Sequence, residues 1–218
     1  MEKKEYYRGN LPHFQQPGQS YFVTWVLHDA IPIGSMAKLS LKLSEINEKI
    51  KKLIKQEISD PEIPKLESIY KATRRKYILK TEEILHSKKD CSVDLSKPTN
   101  IEIIREALTH WENIRLKNYC FCIMPNHVHW VFDVFKTNEK DLLVYLQDIM
   151  HSVKLYSARR INELEGRKGT LWLDESFDIT IRDRRHLYNS IEYTLNNPVK
   201  AGLVEKREDW RGNFDFSR

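Results

Sequence analysis

Cysteine is scarce in this chain: three in 218 residues, an odd number. That excludes a disulfide framework and fits a reducing compartment, so a cytoplasmic location is expected. Long apolar runs are missing too. The uncharged stretch Asn118 to Phe132 is too short to span a bilayer and holds Pro125 and two histidines. No membrane association is expected. The opening Met1-Glu2-Lys3-Lys4-Glu5 lacks the apolar core of a signal peptide. No Gly-x-x-x-x-Gly-Lys loop occurs, so NTP-driven chemistry is not expected. Cys120 and Cys122 alternate with Phe121 in an apolar run and read as small strand residues, since a zinc site needs more partners than one Cys-x-Cys.

A large excess of one charge is also absent. Basic residues number 36 and acidic ones 31, a net of +5. Residues 36–100 carry 15 basic and 10 acidic side chains, so the remainder nets zero. A basic coat over the whole protein is therefore excluded, and any polyanion contact must be local. Arg74-Arg75-Lys76 and Arg182, Arg184, Arg185 are candidate patches, although either alone is more often a solvated face. What is present suffices for a core: 40% of residues are hydrophobic and 31% charged, over a length of one to two domains. Collagen-like and wholly disordered chains are excluded.

Residues 1–19 read as an extended arm broken by Pro12, Pro17 and Gly18. Tyr21 to Leu27 is aromatic and β-branched, hence a strand. Apolar residues then recur at helical spacing over 38–58 and again from Leu66 through Tyr70, Thr73, Tyr77 and Ile84, with Asp60, Pro61 and Pro64 between. This predicts a helical hairpin. Ser87 to Pro98 reads as a loop and Ile101 to Trp111 as a helix. Leu116 to Met124 and His127 to Val134 read as antiparallel strands joined at Pro125-Asn126. A long helix is expected over 139–164, with Leu142, Leu146, Ile149, Val153 and Ile161 on its buried stripe. A strand within Leu171 to Ile181, a helix Arg184 to Asn197 stopped by Pro198, and an aromatic tail from Trp210 complete the chain. Without the hairpin, this is the ferredoxin-like split βαββαβ order of an α+β fold with an antiparallel sheet and one extra C-terminal helix. Residues 1–35 and 101–218 make the principal domain, and 36–100 are a helical insertion.

The sharpest feature is Pro125-Asn126-His127-Val128-His129-Trp130. Alternation along a strand projects His127 and His129 to one face and sends Val128, Trp130 and Phe132 into apolar packing. Two adjacent imidazoles make a platform for a divalent metal. The wet side of a half-buried strand would look the same.

The second feature is Ser190-Ile191-Glu192-Tyr193-Thr194-Leu195-Asn196-Asn197-Pro198. On a helical wheel, Asn189 and Asn197 flank Tyr193 within roughly 40°, while Leu187, Tyr188, Ile191 and Leu195 cluster opposite. Tyr193 is thus expected on a polar face, where it is either ordinary surface or reactive. Pro198 disfavours the helical region at Asn197, which leaves that amide's direction open. Together the two features suggest a machine. A phenol is a weak nucleophile near neutral pH, and becomes effective when a metal polarises its target. An ion on His127, His129 and an amide oxygen would leave room for a phosphodiester. Attack by Tyr193 would then leave a phosphotyrosine and a freed sugar hydroxyl.

These residues carry a resemblance. Cys122-Ile123-Met124-Pro125-Asn126-His127-Val128-His129 and Tyr193-Thr194-Leu195-Asn196-Asn197-Pro198-Val199-Lys200-Ala201-Gly202-Leu203-Val204 resemble the single-tyrosine insertion-sequence transposases of the HUH nuclease superfamily, and within them the REP-associated tyrosine transposases. Weaker likeness lies in Leu11-Pro12-His13-Phe14, Tyr21-Phe22-Val23-Thr24 and Trp172 through Arg182-Asp183. It covers roughly residues 6–35 and 101–212. The resemblance implies a ferredoxin-like catalytic domain, a Mg²⁺ or Mn²⁺ ion, and cleavage and rejoining of single-stranded DNA near imperfect hairpins. It implies Tyr193 as nucleophile, His127, His129 and Asn197 as metal ligands, and a 5′-phosphotyrosine with a free 3′-hydroxyl. Either a homodimer or a monomer is compatible with it.

Residues 36–100 depart from the compact family pattern. The hairpin is expected to contact DNA or a partner subunit, or to be a solvated appendage. Arg182, Arg184, Arg185 and Lys200 are candidate phosphate contacts. Trp172 and Phe177 are candidates for base stacking or for the core. Asp178 and Glu175 are left unassigned between metal assistance and arginine pairing. A catalytically silent, domesticated hairpin-DNA-binding protein is the alternative function, and a metallohydrolase using a metal-bound water is a third.

Overall fold

A computed structural model describes residues 6–8, 12–14, 16–32, 34–55, 61–87 and 90–217. Its elements are β1 (Tyr6–Arg8), β2 (Pro12–Phe14), β3 (Ser20–Leu27), α1 (Ala37–Lys55), α2 (Glu62–Ser87), α3 (Pro98–Thr109), β4 (Leu116–Ile123), β5 (His127–Val134), α4 (Leu146–Leu164), β6 (Trp172–Thr180), α5 (Arg184–Leu195), α6 (Asn197–Lys200) and β7 (Asn213–Asp215). Within the expected N-terminal arm, β1 and β2 form a small antiparallel pair, while residues 1–5, 9–11 and 15 lie outside the described set.

The main sheet has the order β6-β3-β5-β4-β7. Every neighbouring pair is antiparallel. Its first four strands take the ferredoxin-like arrangement, with the first and third βαβ strands side by side in the middle. The aromatic tail is not merely a tail: β7 adds a fifth strand on the open edge of β4, pairing Phe121 with Phe214. No described helix is long and apolar enough to cross a membrane.

Alternation along β3 and β5 divides the side chains between two faces. Val23, Trp25, Val128, Trp130 and Phe132 join Ile104, Leu108, Ile149 and Val153 of α3 and α4 in the main core. Trp25 meets Trp130 and Trp172 edge to face, at 6.1 and 6.0 Å between centroids. Trp172 is thus a core residue, its indole N–H donating to Ser157 Oγ at 3.0 Å. Phe177 is buried against Tyr77 of α2. Neither ring is presented for stacking on bases.

One polar group ties this core together. Asn118 Oδ1 accepts from Trp130 Nε1 at 2.5 Å, while its Nδ2 donates to the Leu108 carbonyl at 3.2 Å. Alanine there strands a buried indole N–H and a carbonyl. We expect Asn118→Ala to lower the unfolding free energy by about 3 kcal/mol, read from a urea titration. A change below about 1 kcal/mol, the net worth of one ordinary hydrogen bond, would contradict this.

The other sheet face is shared by two helices. α5 covers β4 and β5 through Leu187, Ile191 and Leu195 against Cys120 and Val131. α2, from the insertion, covers β3 and β6: Tyr77 packs with Phe177, and Arg74 Nη2 donates to the Asp178 carbonyl at 2.9 Å. α2 therefore lies on the sheet, with Met36 and Leu43 beside α2 in the same cluster, so these helices are not a detached appendage. Asp178 pairs in register with Val23, on the face opposite the histidines. The expected long helix starts late, as α4 at Leu146, and Leu142 is 60% exposed.

Candidate active site

The site forms where β5, α5, α6 and α2 converge on this second face. His127 and His129 point to it together, as alternation requires, but the face is not wet: the two are 1% and 2% exposed. Their Nε2 atoms stand 3.1 Å apart. Each ring is held from behind. Asn126 Nδ2 donates to the Leu85 carbonyl at 2.9 Å, which turns its Oδ1 to His127 Nδ1 at 2.7 Å. That oxygen only accepts, so His127 carries its proton on Nδ1 and its Nε2 has a free lone pair. His129 Nδ1 meets the Thr24 hydroxyl at 2.7 Å. A hydroxyl either donates or accepts, so rotating Thr24 Oγ1 decides which His129 nitrogen is bare.

Both imidazoles are held neutral. For His127 the causes are burial, then the neighbouring His129 and His86, and its pKa falls well below the ordinary value. For His129 burial leads again, followed by His86, and its pKa is pushed down to about 3. Asn197 pulls each a little the other way. Neutral rings are the form that binds a metal.

α5 ends at Leu195, and the chain restarts as α6 at Asn197. Pro198 does not stop the chain's helical course here. It sits in the first turn of α6, where the missing N–H is tolerated. This small break still leaves Asn197 one turn beyond Tyr193 and fully buried. Its Oδ1 lies 3.2 Å from His86 Nε2, and its Nδ2 has no hydrogen-bond partner. A buried amide with an unpartnered Nδ2, beside two neutral imidazoles, is a donor set of the kind that a divalent cation takes. Turning the amide over gives its oxygen to an ion and its N–H₂ to His86. Two nitrogens bound at about 2.1 Å at a right angle to one another stand about 3 Å apart, close to the spacing found. The donor set thus fits a divalent ion. Among the described residues no group of three or more His, Cys, Asp or Glu side chains makes a metal site, so a third protein donor beside the pair would have to be of another type, such as the Asn197 amide. His86 stands behind the amide, its Nε2 toward Asn197 and its ring centroid 6.3 Å from that of His127.

Tyr193 stands edge-on to His129 at 5.5 Å and to Phe22 at 5.6 Å between ring centroids. It is half-buried, not on an open polar face. Its hydroxyl donates to Glu82 Oε1 of α2. Burial, then the Glu82 carboxylate, raise the phenol's pKa far above its usual value. Lys200 is exposed, with its Nζ 4.1 Å from the centre of the Tyr193 ring. Arg182, Arg184 and Arg185 are exposed at the opposite end of α5. Nine residues separate Arg184 from Tyr193, about 13 Å along the axis. Tyr188, expected among the leucines, is 64% exposed instead. A cavity of about 350 Å³, lined by His86, Asp94, Asn126, His127 and Gly202, borders the site at His127.

Sequence reasoning brought together His127, His129, Tyr193, Asn197 and Lys200, and these do converge. It missed Glu82 and His86. They lie one turn apart on α2, and no local signal says that this helix folds back over a tyrosine and an amide 111 residues further along the chain.

No family model matches the chain. A curated protein of Haemophilus influenzae, named provisionally as a REP-associated tyrosine transposase, is 26% identical over 103 residues, which cover 45% of this chain and 58% of that protein. The chain thus spans little more than half the length of that relative. A solved structure of a REP-associated tyrosine transposase bound to a REP hairpin aligns over 95% of this chain and 80% of its own, at 13% identity and a TM-score of 0.49. A likeness that distant says nothing about the site. The chain is similar to REP-associated tyrosine transposases, as its two motifs imply.

Proposed function

We propose that this chain is a REP-associated tyrosine transposase, cleaving and rejoining single-stranded DNA beside imperfect hairpins through a covalent 5′-phosphotyrosine. One observation carries the reading: Tyr193 packs directly on His129 of a neutral, buried histidine pair, with the orphaned Asn197 amide one turn away. His127, His129 and Asn197 would hold a Mg²⁺ or Mn²⁺ ion. That ion supplies charge stabilisation at a phosphate oxygen. Asn126 and Thr24 fix the two rings so that they need not reorient on binding.

Tyr193 then attacks phosphorus through Oη. A bond forms from Oη to phosphorus, the bond from phosphorus to O3′ breaks, and the strand departs with a 3′-hydroxyl. Lys200, over the reactive ring, offsets the phosphate's charge as it approaches. Arg182, Arg184 and Arg185 sit too far from Tyr193 to act on the scissile group, and serve the flanking backbone. The reaction belongs in the cytoplasm, where the cell's DNA is.

The test uses end-labelled single-stranded DNA carrying the hairpin that flanks the chain's own gene, with Mn²⁺. A slow protein–DNA band on a denaturing gel, lost on chelation, is the expected result. Cleavage without a band would favour a metal-bound water as nucleophile. Tight binding with neither would favour the silent binder.

A further inference from the structure

We propose that Glu82, on the inserted helix α2, is a catalytic residue of this centre: it takes the Tyr193 proton as Oη attacks phosphorus and returns it when the strand is rejoined. The inference rests on the strand-transfer reading of Tyr193. It would make the insertion part of the chemistry.

The argument starts from the proton. A phenol is protonated at neutral pH, and attack on phosphorus leaves it with one proton too many. Something within hydrogen-bond reach must accept it. Glu82 is in reach, since Tyr193 Oη already donates to its Oε1. The other groups around the ring are unsuited. Lys200 is a cation. His129 is no candidate, since its Nδ1 meets Thr24 and its Nε2 faces His127 on the proposed metal platform. Asn197 is an amide, with no basic lone pair.

Packing holds Glu82 in place. Thr81 and Leu85, its neighbours on α2, are buried against the sheet. Leu85 is further fixed through its carbonyl, which accepts from Asn126 Nδ2. The same asparagine orients His127. The carboxylate and the histidine pair are thus positioned through one shared residue, which favours a working geometry over a chance surface contact.

The step balances. The Oη–P bond forms and the P–O3′ bond breaks, its electron pair going to O3′. The Oη proton passes to Glu82 Oε1, and O3′ takes a proton from water. In rejoining, a 3′-hydroxyl attacks the phosphotyrosine and loses its proton to water. Tyr193 then leaves, recovering its proton from Glu82.

Two variants test this on the full chain, with hairpin DNA and Mn²⁺ and the adduct followed in a single turnover. Glu82→Gln keeps the shape and the hydrogen-bond acceptor but is not a base. Glu82→Ala removes both. Adduct formation is expected to slow about 10²-fold in each, as for loss of a general base, with hairpin affinity within twofold of wild type. Added formate should restore part of the rate to Glu82→Ala, whereas chloride at equal ionic strength should not. Adduct formation in Glu82→Gln at or above the wild-type rate overturns the proposal, and in the faster case makes Glu82 a latch. A loss in Glu82→Ala that formate does not relieve overturns it as well. If wild type forms adduct, such a failure belongs to Glu82 alone; if it forms none, the strand-transfer reading falls and takes Glu82 with it.

Discussion

Tyr193→Phe abolishes the covalent adduct, by about 10³-fold or more, and leaves hairpin binding within twofold. The substitution is clean because of what surrounds the ring. Phe22 and His129 pack edge-on against it, and Lys200 lies over its face. A phenylalanine keeps all three contacts. It gives up one hydrogen bond, from the hydroxyl to Glu82. Glu82 is itself half-exposed, so water replaces the lost donor and the stability cost stays near 1 kcal/mol. Unchanged melting with no adduct would therefore assign the nucleophile. An adduct that persists in Tyr193→Phe would pass the role to another tyrosine, and Tyr188, exposed on the same helix, is the first to replace.

The strands were legible because a half-buried strand must alternate. The pattern around Val128, Trp130 and Phe132 assigned the faces of β5, and with them the common direction of His127 and His129. The order of elements then allowed few sheets, and the ferredoxin-like one formed. The failures have local causes. Leu142, Leu143 and Val144 continue the apolar rhythm of α4, so the helix was expected to begin near 139. Asn138 ends that possibility: its side-chain oxygen accepts from the backbone N–H of Lys140 and Leu142 at 2.9 and 3.1 Å. Asp141 takes a left-handed φ of 55°. A side chain competing for backbone donors makes a turn where periodicity alone predicts a helix.

β7 was illegible for a different reason. Three residues are too few to alternate, and the strand exists because β4 offers a free edge. The hairpin was recognised as helical from its own periodicity, yet its place was not. Leu66, Thr73, Tyr77, Thr81 and Leu85 are the buried stripe of α2. That stripe contains two threonines and a tyrosine, so it reads as weakly amphipathic, and a solvated helix was a fair expectation. Its true partner, Phe177 on β6, lies far along the chain. Glu82 and His86 reach the site only through that long-range contact, which no spacing in the sequence encodes.

In the absence of a bound ion, the protein is expected to lose stability steeply below pH 6.5. In the unfolded chain both imidazoles take a proton near pH 6.5. In the folded chain His129 does so only near pH 3, and His127 is likewise held well below its ordinary value, burial being the main cause in each. Between those limits the unfolded state binds protons that the native state does not, so unfolding gains with each step of acidification. The stability contributed by the neutral rings is whole above pH 6.5 and is lost as pH falls toward 3. One imidazole is worth up to about 1.4 kcal/mol per pH unit, and two up to about 2.7. From pH 6.5 to 5 the two together come to roughly 3 kcal/mol, since the unfolded rings are only half-protonated at the start, a large part of a typical domain's 5–15. Urea titrations in chelator at pH 7.5, 6 and 5 would measure it. Carboxylates also titrate toward the acid end, so the control is His129→Gln. Its profile should be shallower than wild type by about 1.4 kcal/mol per pH unit. Parallel profiles would mean that His129 is not held neutral. A Mn²⁺ ion should raise the wild-type curve by a nearly constant amount over this range, because it binds the folded state, whose imidazoles keep their lone pairs free of protons until near pH 3. The burial that keeps this pair ready for a cation is thus also what makes the fold sensitive to acid.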